Sequence, residues 1–248
     1  MTTDRSTAYA LDPAAWLRSH GVPPDPWQAD VLRSSAPQTL LNCSRQSGKT
    51  LTAAALGLHE AMYTPESLVL ILSPSLRQSG ELYRNASTLY DGSVPSEAET
   101  KTHMELANGS RIICLPGTEK TIRSFSNVAL LIIDEAARTE DALYYAIRPM
   151  LAVSGGRIIA LSTPFGKRGW YWQEWAYGGE AWKRVMINAY DCPRISLAFL
   201  EQERTLIGDW WFRQEYECVF NDAIDSYFRE EDIVAAFSDA VQPLYQAA

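Results

Sequence analysis

Six aliphatic runs of six to eight residues recur along the first 190 residues and alternate with segments of helical character. Runs that are apolar throughout are typical of parallel strands buried on both faces. The runs cover residues 39–44, 67–73, 111–116, 128–135, 157–164 and 183–189. Their alternation with helices predicts an α/β fold whose parallel sheet is covered by helices on both sides.

The segments between these runs predict the helices and one local exception to the parallel sheet. Helices are predicted over 48–63, 75–90, 138–151 and 168–177. Asn108-Gly109 is typical of a tight two-residue turn, so Thr102–Leu106 and Arg111–Leu115 are expected to pair as an antiparallel hairpin inserted into the core.

Charge and cysteine content exclude several classes of protein. Residues 199–248 contain eleven acids and three arginines, which accounts for the whole net charge of −8. The chain therefore has no general basic surface for nucleic acid, and contact with DNA would need a local patch or an assembly. The four cysteines are widely spaced, which favours reduced thiols over a disulfide framework or a metal site.

The N-terminus and the hydropathy bear on location. No apolar run reaches the roughly 20 residues of a membrane helix. The start of the chain lacks the basic-then-apolar order of a signal peptide. We therefore expect a cytosolic protein without a membrane partner.

The segment that follows the first run resembles a phosphate-binding loop. Cys43 occupies the first glycine position of G-x-x-x-x-G-K-[ST], and a chance match at a helix start is the alternative. In such a loop the backbone N–H groups hold phosphate oxygens, the lysine contacts the β- and γ-phosphates and the threonine binds Mg²⁺. The predicted nucleotide-binding residues are Ser44, Arg45, Gln46, Ser47, Gly48, Lys49 and Thr50.

The fourth run ends in two adjacent acids, Asp134 and Glu135. An aspartate at the end of a strand beside a phosphate-binding loop can hold Mg²⁺ through water, together with Thr50, and the next glutamate can polarise the attacking water. A helix cap after a buried strand is the alternative for Asp134. It explains neither Glu135 nor the upstream loop.

Two further elements complete the predicted nucleotide site. Ser162 and Thr163, at the end of the fifth run, are placed to sense the γ-phosphate, although a plain strand-ending turn also uses such residues. Gln28 could pair with an adenine edge. Trp27 could stack on the base or pack in the core, and the core interpretation is favoured.

Taken together, the W-Q element, the loop "SRQSGKT", "LIIDEAAR" and "LSTPFGKRGWYW" resemble the ATPase domain of the large terminase subunit of tailed bacteriophages. The resemblance implies a RecA-like (ASCE) P-loop NTPase core over residues 1–192, with ATP and Mg²⁺ as cofactors. Residues 193–248 would form a small helical lid or linker subdomain. The nuclease domain that usually follows in large terminase subunits is expected to be absent from this chain.

This resemblance also implies a function. ATP hydrolysis would drive double-stranded viral DNA into a procapsid in the cytoplasm of the infected bacterial host. The expected partners are DNA, further copies of the chain in a ring, the portal and the small terminase subunit. A helicase-like DNA-dependent ATPase and a nucleotide-gated assembly module without turnover remain alternatives.

Two arginines are candidates for stabilising charge on the transferring phosphate. Arg45 lies within the loop and is the candidate in cis, although it could instead pair with an acid across the pocket. Arg123 precedes the aspartate strand, so it is expected at the opposite end of that strand from Asp134 and Glu135. From there it would reach a neighbouring subunit's nucleotide in a ring, and an ordinary surface position is its alternative.

Overall fold

The computed structural model describes residues 2–116 and 125–222, together with residues 122 and 236. The strands of this part are β1 Gln38–Cys43, β2 Leu68–Ser73, β3 Ser96–Glu99, β4 His103–Leu106, β5 Arg111–Pro116, β6 Val128–Asp134, β7 Arg157–Ser162 and β8 Lys183–Ile187. The helices are α1 Thr2–Leu11, α2 Pro13–Ser19, α3 Pro26–Leu32, α4 Lys49–Tyr63, α5 Leu76–Leu89, α6 Asp141–Ile147, α7 Gly169–Tyr177, α8 Leu197–Ile207 and α9 Asp209–Glu215.

Within the described residues, the eight strands form one sheet in the order β3-β4-β5-β2-β6-β7-β1-β8. Along this order, every neighbouring pair from β5 through β2, β6, β7 and β1 to β8 is parallel. At the other edge, β4 pairs antiparallel with both β3 and β5. The predicted α/β class, all six core strands and the inserted hairpin are confirmed. Strand β7 separates β1, which leads into the predicted phosphate-binding loop, from β6, which ends at Asp134.

Burial on both faces explains why the core strands are apolar throughout. Val69 and Ile71 of β2 pack on one side with helices α2, α4 and α5. Leu70 and Leu72 pack on the other side with residues of α6 and α7. Every residue of β2 is buried, so neither face of this strand could carry a polar row.

Three elements differ from the sequence-based expectation. The hairpin has a third strand, β3, whose residues are all exposed and therefore lack an aliphatic signal. The helix predicted over 138–151 was wrong in extent, because only Asp141–Ile147 is α-helical and a 3₁₀ turn, Arg148–Leu151, follows it. Pro149 explains the break, since it lacks the N–H that an α-helix interior requires. The strand predicted to reach residue 164 ends at Ser162.

The four cysteines are free and buried, in agreement with the expected reduced thiols. Cys43 and Cys114 lie in β1 and β5, and burial raises the pKa of each thiol to about 12. None of the helices in the described ranges is long and apolar enough to cross a membrane.

Within residues 193–222, the C-terminal part is helical as far as Glu215. The helix expected from "DWWFRQEYECVF" covers Asp209–Glu215, and residues 217–222 continue without helix. The expected helix "REEDIVAAF" lies outside the described residues except for residue 236, which is helical. The boundary predicted between residues 192 and 193 stays a prediction.

Candidate nucleotide site

Three predicted elements meet at one edge of the sheet because their strands are parallel and adjacent. Asn42 of β1 is the register partner of Ser162 in β7, and Asp134 of β6 is the partner of Leu161. The loop after β1, the acids after β6 and the hydroxyls after β7 therefore leave the sheet side by side. Ligands of open α/β sheets bind outside the carboxyl ends of the strands.

The loop between β1 and α4 has the backbone of an anion cradle. Gln46 and Gly48 have left-handed φ angles of 60° and 94°, and the Ser47 hydroxyl donates to the Ser44 carbonyl at 2.9 Å. Left-handed residues in such a loop turn successive N–H groups toward one concave side, where an anion can bind. A Cβ on Gly48 would lie 2.8 Å from Nε2 of Gln28, so both the φ angle and the space require glycine.

Lys49 begins α4 directly after this loop and is only 8% exposed. Among the described residues, no carboxylate lies within ion-pair distance of its ammonium group, although it is close enough to Asp134 to lower that residue's pKa. A largely buried lysine that has no ion-pair partner is stabilised when an anion binds beside its ammonium group. The loop and Lys49 therefore fit a phosphate group.

Gln28 holds the loop from the N-terminal side. Its Oε1 accepts from the Asp25 amide at 2.8 Å, and its Nε2 donates to the Thr52 hydroxyl at 3.0 Å and the Gly48 carbonyl at 3.3 Å. Both ends of the amide are engaged by protein. In this structure the side chain positions the loop, and the adenine contact of Gln28 stays a prediction.

Arg194, from the segment after β8, reaches the same loop. It forms a two-pronged ion pair with Asp25, at 3.0 and 2.8 Å, and donates to the Ser47 carbonyl at 3.1 Å.

Trp27 lies away from the phosphate-binding loop. It packs against the core and borders a surface groove with Lys183 and Val185 of β8, in line with the favoured core interpretation.

The two predicted magnesium residues lie at the start of α4 and at the end of β6. Thr50 is half-buried in the first turn of α4, and Asp134 is 6% exposed at the end of β6. Burial and the neighbouring charge of Glu135 raise the pKa of Asp134 to about 6, and Lys49 opposes the shift. A hydroxyl and a carboxylate match the one or two protein ligands that Mg²⁺ takes beside substrate phosphates.

Glu135, the predicted base, has a left-handed φ of 53° at the turn that follows β6. Its Oε2 accepts from Nη1 of Arg138 at 2.9 Å. Arg138 lies 3.8 Å from Glu215, and Glu215 is also ion-paired with Arg45. A chain of alternating charges thus runs along one side of the site.

Two roles were considered for Arg45 from the sequence, contact with the phosphate in cis and pairing with an acid. In the structure it pairs with an acid. Its side chain is 61% exposed and pairs with Glu215, and its amide donates to the Glu215 carbonyl at 3.2 Å. This arrangement is the predicted pairing with an acid across the pocket. A catalytic role for Arg45 stays a prediction, and Arg123 lies outside the described residues.

The two hydroxyl residues at the end of β7 are buried. Ser162 is fully buried and donates to the carbonyl of Thr163 at 2.7 Å, and Thr163 is 2% exposed. Ser44 is also fully buried, and its Oγ has no hydrogen-bond partner among the described residues. Their role toward a γ-phosphate stays a prediction.

Sequence reasoning missed the residues that hold the predicted ones in place. Asp25 had a local signal, because an aspartate before Pro26 is typical of a helix N-cap. Arg138 stands in the "DEAAR" segment, but its partner depends on how the turn closes. Glu215 and Arg194 had no signal, since each meets the loop from about 150 to 170 residues away.

The family comparison matches most of the chain. Residues 40–235 match the model of the large terminase subunit, T4likevirus-type, N-terminal. The chain belongs to this terminase family. Among curated relatives, the large terminase subunit of Escherichia phage T5 is 29% identical over 188 residues, or 72% of this chain. The matched region spans 42% of that relative's length.

Solved terminase structures share the fold. The ATPase domain of the large terminase from Thermus phage P74-26 matches with a TM-score of 0.71 at 20% identity, covering 82% of this chain and 96% of that one. The large terminase of a thermophilic bacteriophage, solved in complex with ADP, matches with a TM-score of 0.63 at 12% identity, covering 86% and 53%. The large terminase of bacteriophage HK97 matches with a TM-score of 0.61 at 16% identity, covering 91% and 50%. These similarities confirm the predicted RecA-like architecture.

Proposed function

We propose that this chain is a Mg²⁺-dependent ATPase, acting as the ATPase domain of a large terminase subunit. The observation that carries the proposal is Lys49, a largely buried residue at the end of the loop whose ammonium has no carboxylate within ion-pair distance among the described residues and lies near enough to Asp134 to lower that residue's pKa. The match to the terminase family supports it, and so do the relatives that were solved with ADP and with ATP-gamma-S.

Each residue has a distinct task in this proposal. The N–H groups of residues 44–48 and the ammonium of Lys49 bind the phosphates. Thr50 and Asp134 would hold Mg²⁺, which when bound neutralises phosphate charge. Glu135 accepts a hydrogen bond from the attacking water and orients it. Ser162 and Thr163 lie at the end of the strand between the two binding loops, where they can respond to the γ-phosphate.

The proposed outcome of hydrolysis is movement of double-stranded DNA. The resemblance to terminase ATPase domains implies that copies of the chain would assemble as a ring with the portal and the small subunit, in the cytoplasm of the infected host. Arg123 remains the candidate for action on a neighbouring subunit's nucleotide. The strongly acidic C-terminal region argues for DNA contact through the assembly rather than through a general basic surface.

Phosphate release by the purified protein, with and without duplex DNA, tests the proposal. Glu135→Gln should lower turnover by about 10²–10⁴-fold and leave ATP affinity nearly unchanged, because the phosphate contacts remain. Glu140→Gln, a nearby carboxylate outside the site, is the control and should turn over normally.

The other outcomes separate the alternatives. Nucleotide binding without phosphate release, with or without DNA, would favour a nucleotide-gated assembly module. Hydrolysis that depends on single-stranded DNA and separates strands would favour a helicase-like enzyme. Turnover that Glu135→Gln leaves intact would remove Glu135 from the role of base.

A further inference from the structure

Arg138, for which the sequence predicted no role, directly contacts Glu135, the predicted base. Glu135 is followed by the 3₁₀ turn Ala136–Arg138, in which the Arg138 amide donates to the Glu135 carbonyl at 2.8 Å. This turn returns the arginine side chain to the glutamate, where Nη1 donates to Oε2 at 2.9 Å. The backbone and the side chains therefore join the same two residues.

Arg138 is itself held by two distant parts of the chain. Its guanidinium carbon lies 4.6 Å from the ring centroid of Phe165, in the loop after β7. Its Nη2 lies 3.8 Å from Oε1 of Glu215, at the end of α9. With 25% of its side chain exposed, the guanidinium is enclosed by three elements instead of extending into solvent.

We propose that Arg138 is a positioning residue for Glu135, an inference that rests on the proposed ATPase function. A glutamate side chain has several rotatable bonds, and a base works only within hydrogen-bond reach of its water. A third group that orients the base is a recurrent solution to this problem. Here Arg138 fixes Oε2.

The second carboxylate oxygen is then the one available for water. Among the described residues, Oε1 of Glu135 makes no hydrogen bond, whereas Oε2 is held by Arg138. The ring of Phe165 and the carboxylate of Glu215 limit the directions in which the guanidinium can move. The position of the base is therefore set jointly by the loop after β7 and the end of α9.

The first test is the turnover and nucleotide affinity of Arg138→Met, which keeps much of the aliphatic stem and removes the guanidinium. Turnover should fall up to about 100-fold, the scale expected when a catalytic group is displaced by about 1 Å. Affinity for a non-hydrolysable ATP analogue should stay within about twofold, because Arg138 has no contact with the phosphate loop. Arg138→Lys keeps the charge and should recover part of the turnover.

Arg168→Met is the matched control. The Arg168 guanidinium lies 4.1 Å from the centroid of the same Phe165 ring, and its Nε donates to the Phe165 carbonyl, not to Glu135. We expect its turnover to stay within about twofold of the unmutated protein. Melting temperatures of all variants without nucleotide show whether they fold.

A second readout does not depend on turnover. ADP with aluminium fluoride mimics the transferring phosphoryl group with its attacking water, so its affinity reports on a correctly placed base. Arg138→Met and Glu135→Gln should each weaken this complex about tenfold or more while leaving ADP affinity unchanged. If Arg138 acts through Glu135, the double variant should lose no more than the single variants do.

The outcomes distinguish this inference from the proposed function. An unmutated protein that releases no phosphate would overturn the ATPase. An active unmutated protein with an equally active Arg138→Met would overturn only the role of Arg138, and so would additive losses in the double variant. If Arg138→Met fails to fold, the same comparisons on Arg138→Gln, which also removes the guanidinium, decide the point.

Discussion

The two sides of the candidate site are held by different kinds of interaction. On the loop side, Gln28 is 4% exposed and joins the start of α3 to the loop and to Thr52 by three hydrogen bonds. On the side of the base, Glu135 and Arg138 pair with about a quarter of each side chain exposed. Arg45, at the end of the same charge chain, is 61% exposed.

This difference separates a rigid part of the site from an adjustable one. Buried hydrogen bonds are costly to break, because the freed groups find no water. Ion pairs between exposed groups contribute only about 0–1 kcal/mol, so they exchange partners readily. We infer that the loop backbone keeps one conformation through a cycle, and that the exposed Arg45 exchanges partners more readily than the enclosed pair of Glu135 and Arg138.

The largest effect on the rigid side is expected from Lys49→Ala. Removing the direct positive partner of the phosphates should weaken ATP binding about 100-fold or more, the scale seen when one partner of a buried charge pair is deleted. Equilibrium titration with a fluorescent ATP analogue measures it. Lys183→Ala on β8 is the control, and an ATP affinity equal for both variants would contradict the role of Lys49.

A smaller effect is expected from Gln28→Leu, which has a similar size but cannot hydrogen-bond. The Asp25 amide and the Gly48 carbonyl would each lose a partner, so the free energy of unfolding should fall by about 1–3 kcal/mol. Urea denaturation measures this change. Gln78→Leu, which removes one exposed hydrogen bond on α5, should change it by less than about 0.5 kcal/mol. Equal losses in the two variants would mean that the loop side is no more rigid than the surface.

The smallest expected effect is a pH dependence of stability that arises from His59, near the C-terminal end of α4. His59 packs on Trp16 and Tyr63 and bonds the Tyr9 carbonyl at 2.8 Å, which ties α4 to the N-terminal helices. Burial lowers the pKa of His59 from 6.5; the nearby charges of Glu60 and Asp12 oppose the shift, and Arg157 adds to it. The folded state therefore prefers the neutral ring, and its contribution to stability is complete above pH 6.5 and is lost as the pH falls toward the lowered pKa.

Melting temperatures between pH 5 and pH 8 measure this contribution. The His59→Gln variant retains a donor for the Tyr9 carbonyl but does not titrate, so its stability should fall less than that of the unmutated protein as the pH drops below about 6.5. Parallel curves of melting temperature against pH for the two proteins would show that protonation of His59 does not lower the stability.

The parts of the fold that could be predicted are those with a local signal. The core strands are apolar because both faces of the sheet are buried, and Asn108-Gly109 encodes its own turn. Strand β3 has no such signal, because its exposed residues "SEAE" are ordered by pairing with β4. Pro149 could have been recognised in the sequence as a helix break, but the periodicity of the surrounding segment favoured one continuous helix.

In the site, the residues that carry the chemistry could likewise be predicted from local sequence, whereas the contacts that position them could not. The segments "SRQSGKT" and "DE" carry their residue types within a few positions, so the sequence alone predicts them. Gln28 was identified by its position before the loop, but its contacts in the structure are with the loop backbone and Thr52. The pairing of Glu215 with Arg45 depends on how α9 returns to the sheet, which no local pattern specifies.

The position of β7 between β1 and β6 determines the width available to a ligand. Neighbouring strands lie about 4.8 Å apart, so the intervening strand opens a gap of about 10 Å between the ends of β1 and β6. A phosphate group with a hydrated cation needs room of this order, whereas directly adjacent strands would leave half of it. Strand β7 thus works as a molecular spacer, and the short side chains of Ser162 and Thr163 at its end keep the gap from being filled by the protein itself.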